Sequence, residues 1–377
     1  MLTPLGRGTA VTSVVLYAAG WWLGYTEPAV LALAGLFAVS GAVVWTLPAP
    51  KLEVSREIAP LKVARGDPAV GVLHVTNVGR ALRGGLVATD AAGSTSVEVA
   101  VPRLRSRGKR MVTYRLPTDR RGVIPVGPLR LIRTDPLNLA RRVREYGTPQ
   151  TLLVHPRTVR LPLMPSGRAH HLEGPTSDRA PAGTATFHAL REYVLGDDLR
   201  HVHWKSTART GTLMVRQLVD ASLPSTSVVI ETRAGVYDDP EDFELTVEAA
   251  ASVAVGACAA NFPVRVLAGS GPLAETRGGP ADAETVLDRL ARSVLEEGSE
   301  SAVDVALRVR AGGSLVVVTP GGAELSRMTA ARHRFERVVC LRIRPDGPAP
   351  VLPGVTLIDV ADLDALAAAW QRARRGP

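Results

Sequence analysis

The sequence predicts a multi-domain protein of the α+β class, with two N-terminal transmembrane helices, an antiparallel immunoglobulin-like β-sandwich and an α/β domain with a parallel-type sheet. Three observations predict this order. Two uncharged apolar runs stand close to the N-terminus, short alternating segments follow them, and from Ser225 onward strand patterns alternate with helical ones. With 377 residues, the chain is long enough for several separate cores.

Residues 1–50 are predicted to form a membrane hairpin with helices at about 9–25 and 28–47, joined by the turn Thr26-Glu27-Pro28. Each run approaches the length of about 20 residues that a helix needs to cross the hydrocarbon core. Arg7 precedes the hairpin and Lys51 follows it, whereas the turn carries no base. The positive-inside rule therefore predicts a two-pass protein of the plasma membrane, with cytoplasmic soluble domains and lipid contact through the hairpin.

Residues 51–150 are predicted to be the β-sandwich, because short strand-like segments alternate with turn formers such as Arg65-Gly66-Asp67-Pro68. This part also holds most of the clustered base, namely Arg103, Arg105, Arg107, Lys109, Arg110, Arg141, Arg142 and Arg144. Two interpretations stay open: solvated loop charge, or a surface that contacts anionic lipid headgroups. Nucleic-acid binding is not predicted, because no aromatic stacking residues are interleaved with the bases.

Residues 151–224 are predicted to be a linker that ends in the densest cluster of charged and aromatic residues in the chain. The turn Gly196-Asp197-Asp198 is expected to open a helix from about Leu199 to Ala208, since aspartate accepts hydrogen bonds from the free N–H groups of a first helical turn. A strand from Leu213 to Leu218 is expected to follow.

The pattern R-x-Y-x-x-G-D-D-x-R-x-x-x-W-x-x-x-A-R in this cluster resembles the hallmark of the domain of unknown function 58 family, bacterial proteins usually encoded beside MoxR-type AAA+ ATPases. The matching residues are Arg191, Tyr193, Gly196, Asp197, Asp198, Arg200, Trp204, Ala208 and Arg209. The stretch from Arg121 to Leu139 resembles a second segment of the same family. It has Asn138 where glycine is usual. Asparagine tolerates a left-handed conformation, so the same bend is expected.

The hallmark residues, together with Lys205, are predicted either to clasp the sandwich to the α/β domain or to form the surface that binds a partner. Arg200 and Trp204 are four residues apart, so a helix would bring the guanidinium close to the indole ring. The rival interpretation is an uncharacterised hydrolase that uses Asp197, Asp198, His201 and His203. Residues 201 and 203 would point to different sides of a helix, which disfavours that cluster.

Residues 225–377 are predicted to form the α/β domain. Strands are expected at 226–231, 263–268, 314–319, 337–343 and 355–358, and helices at 243–260, 281–297, 323–335 and 361–375. This alternation predicts a parallel sheet with helices on both faces. The family resemblance implies that the domain is similar to the von Willebrand factor A fold.

That fold often carries a metal site, D-x-S-x-S, after its first strand, and the resemblance places Glu231 at the position of the aspartate. Arg233 and Gly235 replace the two serines, and no aspartate follows the strand at 314–319. Magnesium and calcium prefer oxygen ligands, and an arginine among them repels a cation. The site is therefore predicted to be degenerate, with no metal and no other cofactor.

Composition agrees with a binding role. The net charge of +9 and the pI of about 10.1 suit an acidic partner or an anionic membrane, and Cys258 and Cys340 lie in apolar contexts typical of buried free thiols. Neither a phosphate-binding G-x-x-x-x-G-K-[ST] loop nor a G-x-S-x-G elbow is present. The sequence thus predicts no enzyme but a scaffold or adaptor, and the resemblance implies a MoxR-type AAA+ ATPase as its partner, in assembling or remodelling a protein complex.

Overall fold

The computed structural model describes residues 1–47, 52–79, 86–102, 104–164, 185–194, 202–220, 225–321 and 325–375. They divide into two compact units, Met1–His155 and Pro156–Pro377. The first unit is rich in antiparallel sheet behind a helical hairpin, and the second is an α/β unit. At this level the predicted α+β class is confirmed, while the finer boundaries at 50, 150 and 224 stay predictions.

The hairpin consists of α1 (Pro4–Leu23) and α2 (Thr26–Thr46). Among the described residues, α2 is the one helix that is both long and apolar enough to cross a membrane. The turn lies at Gly24 and Tyr25, earlier than predicted, because Gly24 ends α1 in the left-handed conformation with φ 73°. Thr26-Glu27-Pro28 instead forms the first turn of α2, where an acid and a proline are both favourable.

Two sheets face each other across one apolar core in the rest of the first unit. The strands are β1 (Leu52–Ala59), β2 (Lys62–Ala64), β3 (Ala69–Asn77), β4 (Leu86–Ala92), β5 (Thr95–Val101), β6 (Lys109–Leu116), β7 (Gly122–Thr134), β8 (Arg141–Tyr146) and β9 (Gln150–His155). One sheet has the order β1-β3-β6, and the other has the order β2-β9-β7-β4-β5 with β8 beside β7. Every second residue of β3 is buried, as a half-buried strand requires.

A buried polar cluster joins the two sheets. Arg56 on β1 donates from Nη1 to Oδ1 of Asp90 on β4 at 2.8 Å, and the hydroxyl of Tyr114 on β6 donates to the other carboxylate oxygen. Arg56 also donates from Nη2 to the carbonyls of Val126 at 3.1 Å and Thr148 at 2.9 Å. Burial and the hydrogen bond to Asp90 raise the pKa of Tyr114. The ion pair of Arg56 and Asp90 thus connects the two sheets directly.

The bend predicted at Asn138 is confirmed. Asn138 has φ 55°, in the left-handed region that asparagine tolerates. Asp135 stabilises this turn because its carboxylate accepts the backbone N–H groups of Leu137 at 2.8 Å and Ala140 at 2.5 Å.

The second unit holds a six-stranded sheet of order β14-β13-β12-β15-β16-β17 and a separate two-stranded ribbon, β10-β11. Its strands are β10 (Ala185–Glu192), β11 (Met214–Asp220), β12 (Thr226–Ile230), β13 (Val264–Ala268), β14 (Gly271–Thr276), β15 (Ser314–Pro320), β16 (Arg337–Ile343) and β17 (Thr356–Val360). Its helices are α3 (Trp204–Thr210), α4 (Pro240–Ala259), α5 (Pro280–Leu290), α6 (Ala302–Arg308) and α7 (Leu363–Arg375). The pairs within the large sheet are parallel except at the edge strand β14.

Each face of this sheet has its own apolar core, which explains why all five residues of β12 are buried. Cys258 and Cys340 lie in these two cores as free thiols, and burial raises the pKa of the Cys340 thiol to about 12.

Two predicted helices differ in the structure. The helix predicted to reach residue 297 ends at Leu290, and residues 325–333 form a 3-10 segment.

Candidate functional site

The topology of the large sheet points to one crevice. From β12 the chain crosses to β13 on one side, and it later returns to β15 on the other side of β12. In open parallel sheets, ligands bind outside the carboxyl ends of the strands where the order reverses in this way. Glu231 directly follows β12, and its N–H donates to the carbonyl of Val318 on β15 at 3.0 Å. The residue singled out as the degenerate metal position thus lies at the switch point.

Glu231 is 1% exposed, and five N–H groups donate to its carboxylate. Oε1 accepts the backbone N–H groups of Thr232 and Arg233, each at 3.1 Å, and Nε of Arg233 at 3.0 Å. Oε2 accepts Nη2 of Arg233 at 3.0 Å and the backbone N–H of Ala302 at 3.0 Å. Ala302 is the first residue of α6, so the positive end of that helix also faces the carboxylate.

Arg233 therefore forms a two-pronged ion pair with Glu231 and takes the side of the carboxylate that a metal would need. The hydrogen bond to Glu231 raises the pKa of Arg233, and the guanidinium keeps its charge throughout the physiological range. These residues do not fit a divalent cation, because both carboxylate oxygens are engaged and the neighbouring charge is positive. The Arg233 side chain is 36% exposed, so its outer edge still faces solvent.

The segment between α5 and α6 closes over this ion pair. The backbone N–H of Glu296 donates to the carbonyl of Thr232 at 2.8 Å, and Ala234 donates back to Glu296 at 3.1 Å. Ser301 caps α6, with its Oγ accepting the N–H of Asp304 at 3.1 Å. The hydrogen bond from Ser301, followed by the one from Arg327, lowers the pKa of the Asp304 carboxyl.

Sequence reasoning missed Ala302, Glu296 and Asp304 as neighbours of the site. A signal for the last was present, because Ser301-Ala302-Val303-Asp304 has the spacing of a capping box at the start of a helix. No local sequence pattern predicts the hydrogen bond between the backbone N–H of Glu296 and the carbonyl of Thr232.

Two buried hydroxyls flank the ion pair. Thr232, 1% exposed, follows Glu231 in the chain, and Thr319, 0% exposed, is the residue after Val318 on β15. Neither Oγ1 atom has a hydrogen-bond partner among the residues that the structure describes. Buried hydroxyls are normally hydrogen-bonded, so these two are unsatisfied polar groups next to the ion pair.

The hallmark residues lie elsewhere, around the β10-β11 ribbon. Arg191 on β10 pairs with Val215, and the N–H of Tyr193 donates to the carbonyl of Leu213 at 2.8 Å. The side chain of Arg191 and the residues Gly196, Asp197, Asp198, Arg200 and His201 lie outside the described part.

Helix α3 begins at Trp204, later than the predicted start at Leu199. Val202 instead forms an isolated bridge with Val215, and the Nδ1 atom of His203 caps the helix by accepting the N–H of Ser206 at 3.2 Å. The predicted helix start is therefore wrong, whereas the predicted contact of Arg200 with Trp204 stays a prediction, because Arg200 lies outside the described residues. His203 acts as a helix cap, whereas the hydrolase interpretation assigned it to a catalytic cluster.

Helix α3 buries none of its residues, and Trp204 is 67% exposed. Lys205 and Arg209 are exposed as well and stand four residues apart, on one side of the helix. The hallmark thus presents an indole and two cations to solvent.

Across the described ranges, no group of three or more His, Cys, Asp or Glu side chains is placed to hold a metal ion.

Comparison with known proteins gives a family match and remote structural likenesses. No curated protein matches the chain. The CARDB domain of a Pyrococcus furiosus protein, solved in complex with di-metal ions, is 16% identical over 29% of this chain and 94% of its own, at a TM-score of 0.21. The family model described as "Protein of unknown function DUF58" matches residues 189–365, from β10 into α7. The family that the hallmark predicts is thereby confirmed: this chain carries a DUF58 domain.

Proposed function

We propose that this protein is a membrane-anchored scaffold or adaptor, without catalytic activity, whose DUF58 domain binds a MoxR-type AAA+ ATPase and helps to assemble or remodel a protein complex. The observation that carries the proposal is the ion pair of Glu231 and Arg233 at the switch point. A fixed arginine in that crevice, with one edge free, suits recognition of a carboxylate on a protein partner. The hydroxyls of Thr232 and Thr319 add two unsatisfied hydrogen-bonding groups beside it.

The proposal includes a von Willebrand factor A-like fold for the α/β unit and an immunoglobulin-like fold for the sandwich. Support for the first is the strand order, with β12 and β15 central, together with Glu231 at the end of β12. Support for the second is a pair of packed sheets whose neighbours are mostly antiparallel.

We further infer that α1 and α2 both cross the plasma membrane and that the soluble parts are cytoplasmic. Helix α2 has the required length and apolarity, and α1 packs closely on it, since a Cβ atom at Gly35 would overlap the hydroxyl of Ser13. Arg7 lies at the end of the hairpin that leads into the sandwich, and Glu27 lies at the far end, as the positive-inside rule requires for this orientation.

Protease added to intact spheroplasts is therefore expected to leave a C-terminally tagged chain uncut, because the cytoplasmic domains are shielded by the membrane. An immunoblot for the tag measures this, and permeabilised spheroplasts provide the control in which digestion is complete. Loss of the tag from intact spheroplasts would contradict the orientation.

Affinity purification of the detergent-solubilised chain, with and without ATP, is expected to recover an AAA+ ATPase in a nucleotide-dependent manner. Trp204→Ala is expected to reduce the recovery at least fivefold without changing thermal stability, because aromatic side chains dominate interface energies and Trp204 is exposed. Val351→Ala is the matched control, since Val351 is an exposed apolar residue of the same unit, and it should leave the recovery unchanged. Equal recovery with both variants would remove α3 from the partner surface, and no ATPase in any eluate would overturn the adaptor proposal.

A further inference from the structure

We propose that the end of the β-sandwich next to the hairpin is a binding surface for anionic phospholipid headgroups. The inference rests on the membrane anchorage proposed above and adds a second, electrostatic contact made by the sandwich itself. The inference is based on two positions: the ends of the strands and the exposed basic side chains both lie near the two ends of the hairpin.

The start of α1 is bonded directly to the turn between β7 and β8. The Thr3 hydroxyl donates to the carbonyl of Asn138 at 2.6 Å, and the Thr3 N–H donates to the carbonyl of Leu139 at 3.0 Å. A Cβ atom at Gly6 would overlap the same Leu139 carbonyl, so the backbones touch at this point. The first helix therefore leaves the sandwich from this turn.

The end of α2 is held at the same place by β8. The guanidinium of Arg142 donates to the carbonyl of Leu47, the residue that ends α2, while the N-terminal ammonium donates to the carbonyl of Arg141 at 3.0 Å. Both ends of the hairpin thus meet the sandwich at the junction of β7 and β8. A bilayer that contains α2 must lie just beyond this junction.

The strand register brings the other sheet to the same end. Leu52, at the start of β1, lies opposite Asn77, and Lys109, at the start of β6, lies opposite Thr76. The chain between Leu47 and Leu52 spans at most roughly 17 Å. Asn77 also binds the turn before β6, donating from Nδ2 to the carbonyl of Arg105 at 3.2 Å. The β3 and β6 ends therefore lie near the hairpin as well.

Exposed basic side chains gather at this end, which we call the proximal end. They are Arg7, Arg105, Arg107, Lys109 and Arg141. The described acids nearby are fewer: Asp135 is buried and accepts backbone N–H groups, and Glu53 is the one that is exposed, against five exposed bases. Arg103 belongs to the same basic run but lies outside the described residues.

The opposite end of the sandwich carries both signs of charge. Three bases, Lys62, Arg115 and Arg120, are exposed there beside two exposed acids, Asp67 and Asp119, whereas the proximal end has five exposed bases and one exposed acid, Glu53. Arg65 and Arg121, also at the opposite end, are partly buried. Arg115 lies opposite Val70 on β3, at the far end of the same strand β6 that begins with Lys109. This asymmetry places the charge where it faces a bilayer and distinguishes a lipid surface from solvated loop charge.

Bases close to an anionic leaflet strengthen binding roughly fivefold each, and the effect decays within about 10 Å. The test measures Kd values of the full chain, purified in neutral detergent, for phosphatidylglycerol and phosphatidylcholine by native mass spectrometry. Lys109→Gln with Arg141→Gln is expected to raise the Kd for phosphatidylglycerol about 25-fold and to leave that for phosphatidylcholine unchanged.

Arg115→Gln with Arg120→Gln is the matched control, because it removes the same charge from the opposite end, including a residue of the same strand. It should change neither Kd. A proximal variant that keeps its preference for phosphatidylglycerol overturns the inference, and so does an equal loss in both variants, which would indicate net charge alone. Carbonate extraction of the cells tests the anchorage separately: a chain released by carbonate refutes the anchor, whereas a retained chain without lipid preference refutes only this surface.

Discussion

Asp90→Ala is expected to lower the free energy of unfolding of the first unit by about 3–5 kcal/mol, because the substitution leaves the Arg56 guanidinium buried without a counter-charge. The side chains of Arg56 and Asp90 are only 5% and 0% exposed, so water cannot replace the lost carboxylate. Tyr114 loses its acceptor at the same time. The melting temperature should fall by about 6–20 °C for a unit of this size.

Hydrogen exchange of the detergent-solubilised chain measures this effect, since peptides from Met1–His155 report on the first unit separately. Glu145→Ala is the control: Glu145 pairs with Arg130 at 2.9 Å, but both side chains are more than half exposed, at 54% and 55%. Its expected cost is below about 1 kcal/mol. If Asp90→Ala costs no more than the control, the buried cluster does not hold the two sheets together.

Glu231→Ala is expected to cost about 2–4 kcal/mol in the second unit, because five N–H donors lose their acceptor. The expected cost is smaller than at Asp90, since Arg233 is partly exposed and can be hydrated. Faster hydrogen exchange should appear first at Ala302 and in the segment around Glu296, which the carboxylate and its neighbours tie to β12.

Arg233→Ser separates the role of the arginine from that of the carboxylate. It frees one side of the Glu231 carboxylate while the backbone donors remain, so millimolar magnesium should raise the melting temperature of this variant and not that of the wild type. Calorimetry provides the opposing outcome. Micromolar magnesium binding by the wild type, lost in Glu231→Ala, would contradict a site filled by arginine.

The sheet of the second unit was predictable because its central strands are buried on both faces and therefore read as continuous apolar runs. Residues 226–231, 314–319 and 337–343 agree with β12, β15 and β16 within one residue. The edge strand β14 was missed, since Gly271-Pro272 at its start resembles a turn more than a strand.

The surroundings of Glu231 were less predictable because they depend on contacts between distant residues. Residues 291–297 are good helix formers, yet the helix ends at Leu290, and Glu296 instead bonds to the backbone of residue 232. Tertiary hydrogen bonds here outweigh a local preference of a few tenths of a kcal/mol per residue. The sequence identified Arg233 as unfavourable beside a metal, but its two-pronged bond to Glu231 requires the three-dimensional turn after β12.

The hallmark shows the same limit at a helix start. Two aspartates made 197–198 the best capping candidates, but the described helix is capped by His203, a residue that rarely takes this role. The bridge of Val202 to Val215 keeps the preceding backbone extended. The cap is thus fixed by pairing with β11, which no local pattern encodes.

The close approach of Gly6 to Leu139 has a mechanical consequence. Because no side chain separates α1 from the turn after β7, and because Thr3 and Arg142 bond both ends of the hairpin to that region, the helices cannot pivot freely against the sandwich. Helices adapt to bilayers of different thickness by tilting. With the hairpin in a bilayer, as proposed above, such a tilt must rotate the sandwich as well, so bilayer thickness would set the angle of the attached sheets.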